Sequence, residues 1–287
     1  MPTANPQSLR LGLLHPGEMG ASVGAAARQA GARVGWVSDR RSGESRRRAA
    51  QAGLEDLSSL EELAARCELI LSVCPPDAAV ALAESVAATG FRGIYLDANA
   101  VSTQTAHAIA AIIDNCGARF VDGGIIGPPA HKPGTTRLYL SGAEAPAVAN
   151  VFNGSALEAI AMDTRPGAAS ALKMCYAAWT KGSAAMLTGI RALALAEGVE
   201  ATLLEEWGLS QPGLEARSCA AARNNAFKAW RFAGEMGEIA ATFEASELPG
   251  GFHRAAAEIY GRLSTYKNCD PAPELGELME TILDNRA

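Results

Sequence analysis

The chain has 287 residues, 48% hydrophobic and 20% charged, with a formal net charge of −6. That length suits one large or two medium domains with a sizeable core. The acidic balance excludes the basic footprint of a nucleic-acid or membrane-surface partner, and no apolar run approaches the ~20 residues of a membrane span.

In chain order, the apolar run Leu9 to Leu14 predicts a buried strand. It enters a turn with Gly17 and Gly20, followed by an Ala-rich helix over about Met19 to Gly31. Strand, glycine turn and helix in this order form the context of a dinucleotide site. The glycines let the backbone approach a pyrophosphate, and the helix N-terminus offers N–H groups and partial positive charge. Gly17, Glu18 and Met19 are the candidate contacts there. His15 stands where the usual G-x-G-x-x-G has its first glycine, so an ordinary strand-to-helix turn is the alternative reading.

Arg33 to Ser38 predicts a second strand, whose end falls about 20 residues past the glycine turn, where the adenosine ribose rests. An acidic residue there selects NAD, and arginine pairs with the 2′-phosphate of NADP. The sequence is Ser38-Asp39-Arg40-Arg41-Ser42, with Arg46, Arg47 and Arg48 just beyond. Ser38, Arg40 and Arg41 are expected to hold a 2′-phosphate. The alternatives are Asp39 acting as an NAD-type carboxylate and Arg46 to Arg48 as a solvated helix start.

Helices near Ser45–Ala52 and Leu57–Ala65 lead to a third strand, Glu68 to Cys74, which ends in Cys74-Pro75-Pro76-Asp77. A helix then runs to Ala88, a fourth strand spans Gly93–Asp97, and Asp97-Ala-Asn99 follows. After a helix over Thr103–Cys116, a fifth strand begins at Arg119-Phe-Val-Asp122 and gives way to a Gly/Pro-rich loop over Gly123–Gly134. Arg137–Ser141 and Leu157–Met162 are two further short strands. Alternating strands and helices predict a doubly wound, mostly parallel sheet. Ligands of such sheets sit at the carboxyl ends of the strands, which makes Cys74, Pro75, Pro76, Asn99 and the stretch Asp122–Gly127 candidate contacts.

Past Pro166-Gly167 the strand signals stop. A long helix is expected over Ala168 to about Glu197, then helices over Glu200–Gly208, Gly213–Trp230, Glu235–Glu247, Phe252–Tyr266 and Ala272–Asn285. The domain boundary is expected at about residue 165. The Ala-rich helical faces suggest close packing, including against another subunit. The six cysteines form no CxxC and suit neither zinc nor a disulfide framework. A reduced, cytoplasmic setting follows, and the four histidines show no metal-binding spacing.

Several of these stretches fit one family. Gly12-Leu-Leu-His-Pro-Gly-Glu-Met-Gly20 resembles the Gly-x-Ile-Gly-x-Gly-x-Met-Gly opening of the β-hydroxyacid dehydrogenase and 6-phosphogluconate dehydrogenase superfamily. Asp97-Ala-Asn99 resembles its Asp-x-Gly-Asn segment, and Asp122 to Gly127 sits where the family has Asp-Ala-Pro-Val-Ser-Gly-Gly. Gly167-Ala-Ala-Ser-Ala-Leu-Lys173-Met resembles Gly-x-Gly-x-x-x-Lys-Met, the stretch with the catalytic lysine. Residues 234–253 are similar to an uncharacterised C-terminal helical domain in one branch.

The resemblance implies a Rossmann-type NADP-binding domain over residues 1–165 and a helical substrate and dimerisation domain over residues 166–287. It also implies a homodimer and a small-molecule substrate; the cysteine and histidine spacing predicts no metal. Lys173 would move the proton while hydride moves to or from the nicotinamide, and Asn99 would lie between ring and substrate. A lysine reaching solvent from its helix is the plain alternative. The family's polar pair after the lysine is replaced by Tyr176 and Ala177, its serine by Ile126, and its later Lys-Asp pair by Gly237-Glu238. The substrate pocket, with Gly124, Ile126 and Tyr176 as candidate contacts, is therefore more apolar. Tyr176, three residues past Lys173, and Thr180 share a helix face with it. Tyr176 reads as ligand, as second proton donor or as a packing residue. His131 and Lys132 read as a solvated loop or as contacts for an anionic substrate.

The leading function is an NADP-preferring oxidoreductase acting on a small hydroxy or oxo compound, with NAD as the alternative cofactor. Imine reduction is a second reading, and a non-catalytic NADP-binding sensor a third.

Overall fold

The computed structural model describes residues 9–163, 165–267, 269, 271 and 273–284. The chain packs as two compact units, one running to Lys173 and the other starting at Met174.

The first unit is built on one sheet of β1 (Arg10–Leu14), β2 (Arg33–Trp36), β3 (Glu55–Asp56), β4 (Leu69–Ser72), β5 (Ile94–Asp97), β6 (Arg119–Ile126), β7 (Thr136–Ser141) and β8 (Leu157–Asp163). Their spatial order is β3-β2-β1-β4-β5-β6-β7-β8. All neighbours are parallel except β6 and β7, which pair antiparallel with Asp122 opposite Ser141 and Ile126 opposite Arg137. The order reverses at β1, between β2 and β4, which opens the crevice where doubly wound sheets bind ligands. Since β2, β1, β4, β5 and β6 run the same way, their carboxyl ends share one edge of the sheet.

Helices α1 (Glu18–Gln29), α2 (Gly43–Gln51), α3 (Leu60–Arg66), α4 (Pro76–Ala88), α5 (Thr103–Asn115) and α6 (Ala145–Asn150) connect these strands. The central strands are apolar on both faces, as parallel strands covered by helices must be. Leu11, Leu13, Leu71 and Val121 pack with Val23, Ala26 and Ala27 of α1. Ile70, Tyr95 and Phe120 pack with Ala83 and Val86 of α4 and Ile109 and Ile113 of α5. Ser42, Ser59 and Ser102 cap α2, α3 and α5 by accepting from an amide three residues on.

Three local differences from the sequence reading have physical causes. β6 continues through Gly123-Gly-Ile-Ile126, a stretch read as loop, because the antiparallel ladder to β7 satisfies its backbone. The two-residue β3 and the short α6 are too brief to leave a periodic signal. The helix expected to reach Trp230 stops at Ala226, and the next begins at Ala229.

The second unit is helical over its described residues. α7 (Ala168–Ala196) starts in the first unit, followed by α8 (Glu200–Ser210), α9 (Leu214–Ala226), α10 (Ala229–Ala245), α11 (Gly251–Arg262) and α12 (Leu275–Leu283). α10 continues through Gly234 and Gly237 because Phe232, Met236, Ile239 and Ala240 make one buried stripe. It packs on α11 through an edge-to-face contact of Phe232 and Tyr260, centroids 5.4 Å apart. Lys181 of α7 and Glu235 of α10 form a buried ion pair. Residues 272 and 285, the expected limits of the last helix, lie outside the described residues.

Candidate functional site: a nucleotide turn and an anchored lysine

The turn between β1 and α1 is closed by the Gly17 amide donating to the His15 carbonyl at 2.9 Å. Gly20 is a steric requirement, since a Cβ there would lie 2.3 Å from the His15 carbonyl oxygen. Gly17 is different. It N-caps α1 at φ −68°, a value any residue adopts, and a Cβ built on it meets nothing within 4 Å. Neither backbone nor packing demands glycine at 17. The space it leaves lies before the N-terminus of α1, where a dinucleotide's pyrophosphate belongs. Glu18 is exposed in the first turn of α1, and Met19 is half-buried.

His15 adopts φ +70°, a region that side-chain-bearing residues seldom occupy. Its Nδ1 is buried without a hydrogen-bond partner, and so is Nε of Arg41. Burial first, and the Arg41 guanidinium second, push the His15 imidazole down to about 4, against a backbone hydrogen bond with Leu14. Burial likewise lowers Arg41, against the pull of Cys74 and Asp39. These two orphaned atoms, with the open space at Gly17, fit a bound polyanion.

The β2–α2 loop carries the residues read as a 2′-phosphate pocket. Arg40 is 93% exposed and pairs loosely with Asp39 at 3.6 Å. The Ser38 carbonyl accepts from the Arg41 amide at 3.2 Å and from Arg46 Nη2 at 2.8 Å. The Ser38 hydroxyl is engaged by Asp56. Burial works against ionising Asp56, but hydrogen bonds from Ser38 and the Ser58 amide, with Arg46 nearby, hold it below the usual carboxylate range. Arg48 Nε donates to the Pro16 carbonyl at 3.1 Å. Two of the three arginines read as solvated thus brace the loop and the turn.

At the ends of β4 and β5, Asn99 is buried and bonded on both sides of its amide. Oδ1 accepts from the Cys74 amide at 2.5 Å, and Nδ2 donates to Ser72 Oγ at 2.9 Å and Asp97 Oδ2 at 2.8 Å. The carboxamide clasps the two strand ends and fixes the turn into Pro75, the N-cap of α4, and Pro76. The Cys74 thiol is pushed up to about 12, by burial and then by Asp97. Asp97 is itself pushed up to about 7 by burial, with hydrogen bonds from Asn99 opposing and Asp122 reinforcing.

The lysine is held by a cluster the sequence reading did not assemble. Asp122, in the middle of β6, accepts from Ser141 Oγ at 2.9 Å, and from the Ser170 amide at 2.9 Å and hydroxyl at 2.5 Å. Ser141 Oγ also accepts from the Ala169 amide at 3.1 Å. The first turn of α7, whose amides lack intrahelical partners, is thereby fastened to the sheet. One turn on, Lys173 Nζ donates to the Ile125 carbonyl at 2.6 Å. Gly124 permits the approach: a Cβ there would lie 2.7 Å from the Ala169 carbonyl oxygen and 3.1 Å from Lys173 Cβ. Gly124, Ile125 and Lys173 are thus brought together, with Ile126 buried beside them in β6. Tyr176 follows three residues along α7 and is 46% exposed, while His131 and Lys132 are exposed in the β6–β7 loop. Ser170 is the third residue of α7, and the carboxylate it donates to lies 48 residues away in sequence, so it gave no local signal.

Residues 10–167 match the family described as the NAD binding domain of 6-phosphogluconate dehydrogenase. Residues 194–263 match a domain of unknown function, DUF1932. No curated protein sequence matches the chain. Among solved structures, the conserved protein MTH1747, of unknown function and structurally similar to 3-hydroxyacid dehydrogenases, is 25% identical. The match covers 90% of this chain and 98% of that one, with a TM-score of 0.65. The Mycobacterium tuberculosis 3-hydroxyisobutyrate dehydrogenase solved with L-serine is 18% identical, over 98% and 100% of the two chains, with a TM-score of 0.66. A reductive aminase from Aspergillus terreus, in complex with NADPH and ethyl levulinate, is 17% identical over 95% and 99%, with a TM-score of 0.56. The last two establish likeness of fold. With more than half of its length inside the first match, the chain belongs to the 6-phosphogluconate dehydrogenase-like NAD-binding family.

Proposed function

We propose that the protein is an NADP-preferring oxidoreductase that acts on a small hydroxy or oxo compound, with Lys173 as general acid and base. The observation that carries this reading is the anchoring of Lys173. Asp122, Ser141 and Gly124 hold the start of α7 so that the amine meets the Ile125 carbonyl. When bound, the nicotinamide supplies or accepts the hydride. Gly17 and the N-terminus of α1 would take its pyrophosphate, and Arg40 and Arg41 the 2′-phosphate. In reduction, Lys173 Nζ donates a proton to the substrate oxygen; in oxidation, it accepts that proton. A general acid or base of this kind contributes roughly 10²–10⁴-fold. Asn99, its carboxamide fully engaged, acts here by fixing the Cys74-Pro75 turn.

The test is NADPH oxidation by the purified protein over a panel of carbonyl compounds, with NADH in parallel. Turnover of a carbonyl that depends on Lys173 supports the reading; binding of NADPH without turnover of any compound refutes it and favours a sensor. Imine reduction is the second reading. It is favoured by the buried apolar pair Ile125 and Ile126 beside the lysine, and by the absence of the family's serine at 126. Reduction of a cyclic imine without turnover of hydroxy acids would select it.

The assembly we propose is a homodimer through the helical half. On α7, Tyr176, Trp179, Met186 and Leu193 are exposed and, with Ser183 and Ile190, fall in the 3-4-3-4-3 spacing of a helix-pairing seam. Light scattering should give twice the chain mass, and Trp179→Glu with Met186→Glu should halve it.

A further inference from the structure

The two orphaned atoms near the nucleotide turn come from different segments of the chain, and one of them, on His15, sits at a position where the family has glycine. His15 follows β1, in the turn that leads to α1, and Arg41 lies in the β2–α2 loop. The turn that carries His15 is firmly set by the Gly17 amide on the His15 carbonyl and by Arg48 on the Pro16 carbonyl. The left-handed backbone at 15 therefore holds the imidazole in one place. There its Nδ1, like Arg41 Nε, is shut off from water with no protein partner. A buried donor left unmade is costly, and two neighbouring donors that can both carry positive charge destabilise each other. One class of ligand relieves both at once: an anion with several acceptor oxygens.

We propose that His15 and Arg41 form a phosphate-binding pair, with His15 Nδ1 and Arg41 Nε each donating to a phosphate of the dinucleotide, and that His15 takes up a proton when this phosphate binds. The proposal rests on the reading of this turn as a dinucleotide site. Without ligand the imidazole is neutral near pH 7, because burial and Arg41 depress it to about 4. A phosphate favours the charged form, so binding tightens as pH falls from 8 towards 5.5. The other charged or titratable groups around the pair are Asp39 and Arg40 in the same loop, Arg48 with its partner Glu44 on α2, and Cys74 at the end of β4. Arg48 is committed to Glu44 and the Pro16 carbonyl, which leaves His15 as the group whose charge changes.

The experiment is titration calorimetry of the full chain with NADPH and with NADH, at pH 5.5 and 8, in buffers of different ionisation heat. His15→Gly is the principal variant. Glycine accepts φ +70° without strain, so the fold is retained. His15→Asn, which tolerates the same backbone and keeps a donor without a titrating charge, is the second. The wild type should take up a fraction of a proton at pH 5.5 in excess of His15→Gly, and bind about tenfold tighter, the scale of a charge-assisted hydrogen bond. His15→Asn should recover part of the affinity and none of the uptake. Protonation of the cofactor's own phosphate is common to all three proteins and cancels. Loss confined to NADPH assigns the pair to the 2′-phosphate, and equal loss for NADH assigns it to the pyrophosphate; both support the proposal. Equal affinity and equal proton uptake in wild type and His15→Gly overturn it while the dinucleotide reading stands. Failure of the wild type to bind either dinucleotide overturns both.

Discussion

Two regions at the carboxyl edge of the same sheet satisfy their polar groups in opposite ways. At the β6–α7 junction, Asp122, Ser141 and Ser170 bond one another and the first amides of α7. At the β1–α1 turn, His15 Nδ1 and Arg41 Nε have no protein partner, and Gly17 faces open space. The first pattern fits a device that positions a side chain, because it is complete within the protein. The second fits a surface finished by a ligand. Chemistry and cofactor binding should therefore be separable by mutation.

The largest effect separates them directly. Lys173→Met removes the proton carrier without touching the nucleotide turn, so turnover should fall by about 10³-fold or more, with the NADPH dissociation constant within about twofold of wild type. Unchanged turnover would reject the role of the lysine. The converse variant, Arg40→Ala with Arg41→Ala, should weaken NADPH by roughly 10–100-fold, the scale of one or two charge-assisted contacts, and NADH far less. Equal weakening of both would mean that the two arginines do not read the 2′-phosphate.

The same contrast explains how much was legible in the sequence. The glycine turn, the parallel strands and the long helix after Gly167 came from local pattern: apolar runs of strand length, and helical periodicity over α7. Lys173 stood out as a candidate because it is a lone charge between Leu172 and Met174, and because its flanks resemble a family motif. The Asp122–Ser141–Ser170 cluster was not legible. Its members lie on three elements, and each alone is an ordinary residue in a strand or a helix start. Asn99 was read as facing substrate from its motif, but its side chain is consumed by Cys74, Ser72 and Asp97. Only the β4–β5 pairing that sets Ser72 beside Asp97 reveals that. Gly123 to Ile126 read as loop from composition, and only their pairing with β7 makes them strand.

A smaller effect tests the anchoring itself. In Gly124→Ala the new methyl would sit 2.7 Å from the Ala169 carbonyl oxygen, so the first turn of α7 must move outward. Overpacking of this kind costs about 1–3 kcal/mol, readable as a lowered denaturant midpoint. Because the moved turn carries Lys173, kcat should fall more than the stability loss alone explains, while NADPH affinity holds. A variant with wild-type kcat would show that the close approach of α7 to β6 serves packing alone.

The smallest effect is a pH dependence seated between the two regions. Asp97 lies opposite Asp122 on adjacent strands, and burial raises its carboxyl to about 7 in the folded protein, against ~3.9 for an unfolded chain. Between those values the native state holds a proton that the unfolded state has released. The contribution of Asp97 to stability is therefore full below about pH 4. It falls by up to about 1.4 kcal/mol per pH unit as pH rises, and is gone above about 7. Asp97→Asn cannot titrate, so the wild-type protein should gain stability relative to this variant as pH is lowered from 8 to 5.5, measured by paired thermal melts. The comparison cancels the titration of groups that do not interact with Asp97 and leaves that of the buried carboxyl with its neighbour Asp122. A difference between the two proteins that does not change with pH would mean that Asp97 stays ionised beside Asp122, with the Asn99 amide and carboxamide sufficient to hold its charge.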